Sequence, residues 1–110
     1  MNNGLVFFVL LFSAVLEAGG DAMVRSGLHG ASLISRISWM ASGAVVLFAY
    51  GVTVNLPPWN FGRLLGVYVT LFFVVAQVIS TVAFGKPPTL PILVGGGLIV
   101  AGGLTMTFWT

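Results

Sequence analysis

The chain contains no cysteine and little charge: four Lys and Arg and two Asp and Glu among 110 residues. The missing thiols exclude a disulfide scaffold, a thiol nucleophile and a cysteine-ligated metal. Soluble domains carry about 25% charged residues, because their surfaces meet water. Here the share is 5%, with 58% hydrophobic residues, so a water-soluble globular domain is excluded. Disorder is excluded by the same apolar excess. Four basic side chains are too few for a nucleic-acid footprint, and no nucleic-acid partner is expected. The single histidine, His29, sits between loop glycines with no companion ligand, so neither metal nor cofactor is expected.

What the sequence does have is long apolar runs. A membrane-spanning helix needs about 20 such residues. Four candidates run from about Leu5 to Val24, Ile37 to Val54, Leu64 to Phe84, and Ile92 to Trp109. None alternates in polarity as a barrel strand would. The expected class is therefore an all-α, multi-pass membrane protein, one domain over residues 1–110 with four transmembrane helices. The first run lacks a basic leader and is interrupted by Glu17 and Asp21, so it reads as a retained helix rather than a signal peptide. Linkers are expected at Arg25 to Arg36, Asn55 to Arg63 and Gly85 to Leu90, the last two turned by Pro-Pro pairs. Short linkers make sequence neighbours antiparallel. Arg25, Arg36 and Lys86 fall on one side of the membrane and Arg63 on the other. This small bias weakly favours cytoplasmic first and third loops and permits both orientations.

The intramembrane charges carry the functional signal. Glu17 lies about 18 Å along the first helix from Leu5. A charge at that depth costs about 2.5–3.5 kcal/mol on insertion scales, so it should face a cavity or a partner. An apolar setting favours the neutral form of a carboxyl group, which makes Glu17 the expected proton-exchanging group. Asp21 and Arg25 follow at one-turn intervals and can pair with each other. The competing reading is a fixed network in which Arg25 or Arg63 neutralises Glu17. On the third helix, Arg63, Gly66, Thr70, Gln77 and Thr81 fall within about 60° on a helical wheel, and Tyr68 lies about 140° away. This polar stripe suits either a cavity lining or a helix interface. On the fourth helix, Gly95, Gly97, Ala101 and Gly102 offer a small-residue surface for close helix association. No Ser-His-Asp or paired-carboxylate arrangement stands out, and enzymatic chemistry is not expected.

Two segments resemble a known family. LEAGGDAMVRSGL (Leu16 to Leu28) is similar to the first-helix glutamate motif of the small multidrug resistance family, part of the wider drug/metabolite transporter superfamily, with Glu17 and Gly20 at matching positions. FGKPPTLP (Phe84 to Pro91) followed by GGGLIVAGG resembles that family's turn and small-residue fourth helix. The resemblance covers nearly the whole chain. It implies an antiparallel homodimer of four-helix protomers in the inner (plasma) membrane, exchanging protons for a small or hydrophobic organic cation by alternating access. It assigns the coupling role to Glu17 and the dimer interface to Gly95 and Gly102, with Gly97 and Ala101 beside them. Tyr68 falls where the drug exporters carry a substrate-facing tryptophan, and Asp21, Arg63, Thr70 and Gln77 are further candidate lining residues. Asp21, Arg25 and Arg63 depart from the exporters' pattern. The glycine-arginine start of the third helix is similar to a neighbouring branch of small four-helix membrane proteins. A partner chain different from this one is compatible with the same interface. The alternative function is a non-transporting membrane subunit, or a lipid-handling relative, with the charges as a structural network.

Overall fold

The computed structural model describes residues 1–109. These form four helices: α1 (Asn3–Leu28), α2 (Leu33–Val54), α3 (Phe61–Phe84) and α4 (Leu90–Phe108). All four are long and apolar enough to cross a membrane. The protein is thus an all-α chain of spanning lengths, in contact with the lipid bilayer.

Their ends are set locally. The side chains of Asn2, Ser32 and Asn60 accept hydrogen bonds from the backbone N–H groups of Leu5, Ser35 and Gly62, at 2.7, 3.1 and 3.0 Å. Such caps satisfy donors that the first turn leaves unpaired. At α4, Pro91 in the first turn removes one donor outright. α3 stops at Gly85, whose φ of 63° is left-handed. The Lys86 N–H then returns to the Ser80 carbonyl at 3.0 Å. Inside the spans, Ser13, Ser26, Thr53, Thr81, Thr105 and Thr107 turn their hydroxyls back to carbonyls four residues earlier. This keeps polar groups paired where lipid offers no partner.

α1, α2 and α3 exceed the apolar runs by up to four residues at an end, while α4 begins two residues earlier than its run and ends one sooner. Arg25 and Arg36, expected in a linker, therefore lie on α1 and α2, and the first loop shrinks to residues 29–32. Helical hydrogen bonding continues past the last apolar residue until a cap such as Ser32 interrupts it.

α1 packs between α2 and α3, and α4 packs on α3 alone. The result is a flattened bundle of 50 × 34 × 19 Å. α1 and α2 approach through glycine. A Cβ on Gly43 would lie 2.8 Å from Val24 Cγ2 and 3.0 Å from the Gly20 carbonyl. The buried core joins the amino-terminal halves of α1 and α3 to the end of α2: Val6, Leu10 and Ala14, then Leu64, Val67 and Tyr68, with Val54. Trp59 closes that end edge-on to Phe7, their centroids 5.9 Å apart.

Candidate functional site

Glu17 lies at the midlength of α1, half-buried, on the surface turned to α3. The Tyr68 hydroxyl donates to Glu17 Oε1 at 2.9 Å. Tyr68 is 3% exposed and so is fixed in the core. Its ring is flanked by Tyr50 of α2 at 5.7 Å and Phe72 of α3 at 6.1 Å, both tilted by 31°. Three helices thus converge on one carboxylate: α1 carries it, α3 bonds it and α2 adds an aromatic ring beside the bond.

Beyond this point α1 and α3 stand apart, enclosing an open cleft of about 550 Å³. Ala18 and Phe72 form its inner end. Asp21 and Ala22 on α1 face Ala76, Ile79 and Ser80 on α3 along its length. Arg25, Phe84 and Lys86 line its mouth. The Arg25 guanidinium carbon lies 5.8 Å from the centre of the Phe84 ring, so Arg25 reaches across toward α3. The facing residues Ala18, Ala22 and Ala76 are too small to fill the gap between the two backbones.

The remaining candidates divide between faces. Arg63 turns to the end of α4. Its Nε donates to the Met106 carbonyl at 3.3 Å and one terminal nitrogen to the Thr107 carbonyl at 3.4 Å, while its guanidinium lies 4.0 Å from the Trp59 ring centre. A cation there complements the negative end of a helix dipole. Thr70 also faces α4, donating to the Ile99 carbonyl at 3.3 Å, against Gly103. Arg63, Gly66 and Thr70 of the polar stripe therefore meet α4 rather than the Glu17 cleft, and Arg63 is committed to α4 and Trp59. Gln77 is half-buried on α3. Gly95, Gly97 and Gly102 have nothing within 4 Å of an added Cβ, and Ala101 is exposed beside them. The contacts with α3 are made instead by Gly96, against Phe73, and Gly103. Among the described residues no group of three or more His, Asp or Glu could hold a metal.

Tyr50, Phe72 and the mouth residues Phe84 and Lys86 were not apparent as site residues in the sequence. The one signal for Tyr50 is a polar-tipped ring within an apolar run; its placement beside Tyr68 is a product of helix packing.

The chain is 30% identical over 110 residues to a UPF0060 membrane protein of Herpetosiphon aurantiacus, covering 97% of this chain and 94% of that protein. No family model matches the chain. No solved structure matches it.

Proposed function

The chain belongs to the UPF0060 membrane protein family, and from that premise we propose that it is a proton-coupled antiporter of small or hydrophobic organic cations in the inner membrane, working as a dimer. The observation that carries this reading is the Glu17 carboxylate, deep in α1, hydrogen-bonded to a hydroxyl rather than to a cation.

A carboxylate in an apolar span is stabilised when it is neutralised, either by a proton or by a bound cation. The two compete for the same oxygens. A cation arriving displaces the proton, and a proton arriving releases the cation. That competition suffices for exchange, provided that the site opens to each side in turn. The Tyr68 hydroxyl donates to Glu17 and orients it while the carboxylate is charged. The rings of Tyr50, Tyr68 and Phe72 offer π faces to an organic cation beside the carboxylate.

Carriers commonly obtain alternating access from two related, inverted halves. Two copies supply such halves when the orientation bias is small, as three basic residues at one end of the helices against one at the other makes it. Gly95 and Gly102 share one stripe of α4, with Gly97 and Ala101 on another; added Cβ atoms at the three glycines would meet nothing within 4 Å and Ala101 is exposed, so either stripe suits a close helix pairing between copies.

The test is uptake of tetrabutylammonium into liposomes under an imposed pH gradient, comparing the wild type with Glu17→Gln. Uphill uptake by the wild type and none by Glu17→Gln supports antiport. No uptake by the wild type favours the non-transporting subunit, in which the Tyr68–Glu17 bond ties α1 to α3.

A further inference from the structure

The charges along the cleft do not match a simple cation. Asp21 lies on α1 about 10 Å short of its end at Leu28, one turn deeper than Arg25. Arg25 stands at the mouth on the α1 side, its guanidinium directed over Phe84. Lys86 stands at the mouth on the α3 side. The backbone of Lys86 is tied twice to Ser80: its N–H donates to the Ser80 carbonyl and its carbonyl accepts from the Ser80 Oγ, both at 3.0 Å. The left-handed Gly85 between them fixes that return. Two cations on opposite walls therefore lie beside an exposed carboxylate one turn along α1, and the wall beyond is Phe72 and Ala76.

A lone cation at Asp21 has two like charges beside it along the cleft. A lone anion is held at the mouth and repelled further in. A molecule with an anionic group outermost and an ammonium group deeper satisfies all three charges. The cleft volume of about 550 Å³ falls within the range of small-molecule pockets. Its apolar inner wall accommodates a short alkyl chain.

We propose that the α1–α3 cleft binds an amphipathic zwitterion, with its phosphate or carboxylate between Arg25 and Lys86, its ammonium at Asp21 and its apolar part against Phe72 and Ala76. The inference rests on the antiport reading for its last step, in which the ammonium passes from Asp21 to Glu17. The binding site itself stands on the cleft.

The experiment is calorimetric titration of the full chain in a maltoside detergent with octyltrimethylammonium, octylphosphocholine, octyl phosphate and chain-free phosphocholine, with proton release recorded in the same samples. Charge-assisted contacts to Arg25 and Lys86 should make octylphosphocholine bind about tenfold or more tightly than either single-charge probe. Phosphocholine without the chain should bind about tenfold more weakly than octylphosphocholine, which separates an amphiphile from a soluble zwitterion. The double variant Arg25→Gln/Lys86→Gln should lose the preference and still bind octyltrimethylammonium, which shows that it is folded. Asp21→Asn should weaken octylphosphocholine and octyltrimethylammonium together.

Equal or tighter binding of octyltrimethylammonium or octyl phosphate would overturn the proposal. So would equal binding of phosphocholine, or a preference that survives the double variant. No preference in the wild type, with Glu17-dependent proton release intact, overturns this inference and leaves the antiport reading standing. A kept preference without proton release overturns the antiport reading and leaves the cleft.

Discussion

The two halves of the α1–α3 pair are built from the same helices and end differently. In the amino-terminal half, Val6 and Leu10 of α1 meet Leu64, Val67 and Tyr68 of α3, and the space between the backbones is filled. In the carboxyl-terminal half, Ala18 and Ala22 face Ala76 and Ser80, and the space stays open. α1 does not lose its anchorage there. Its Gly20 and Gly27 lie against Leu47 and Met40 of α2. The small residues thus act in opposite senses on two faces of one helix. Toward α2, glycine lets the backbones touch. Toward α3, alanine at a wider spacing leaves a cleft. Glu17 stands at the border, bonded to the closed half through Tyr68 and adjoining the open half through Ala18.

This contrast can be broken by changing residue size on either face. The largest effect is expected at the glycine crossing. Gly43→Leu would drive a side chain into Val24 and the Gly20 backbone, forcing α2 from α1 and costing about 3 kcal/mol. Denaturation in mixed micelles measures it. Leu10→Ala, at a residue with 0% exposure, should cost about 2 kcal/mol by leaving a cavity in the closed half. The same denaturation series ranks the two. Tyr68→Phe removes the hydroxyl that bonds Glu17 and should cost about 1 kcal/mol of stability while the ring packing stays. The smallest effect on stability is expected in the cleft. Ala76→Leu adds bulk to an open space and should change stability by under about 0.5 kcal/mol, while competing with ligands there. A large destabilisation by Ala76→Leu would mean that the cleft closes in the membrane.

Much of the fold was legible. Four apolar runs gave four helices, because a chain in lipid must pair its backbone internally. Helix ends were less so: the hydropathy of 25–36 reads as a linker, yet Ser32 caps α2 and leaves both arginines helical. Glu17 was legible because a carboxylate in an apolar run is costly wherever it points. The wheel separated Tyr68 from the Arg63–Thr70 stripe, and the two faces serve different neighbours. Which face meets Glu17 was not legible, since the hydropathy of α3 does not reveal that α4 packs against Gly66, Thr70 and Phe73. The cleft was hidden for a similar reason. Ala18, Ala22 and Ala76 are ordinary residues of an apolar helix until packing sets them opposite one another. Tyr50 joins the site only because α2 touches α1 through glycine.

The central claim is that Glu17 exchanges a proton for a bound cation. The most direct test is proton release from the purified protein in weakly buffered detergent on addition of tetrabutylammonium, for the wild type, Glu17→Gln and Asp21→Asn. The account expects release from the wild type, none from Glu17→Gln, and retained release from Asp21→Asn with weaker cation binding. Release undiminished in Glu17→Gln and absent in Asp21→Asn would contradict it and move the exchange to the other carboxylate.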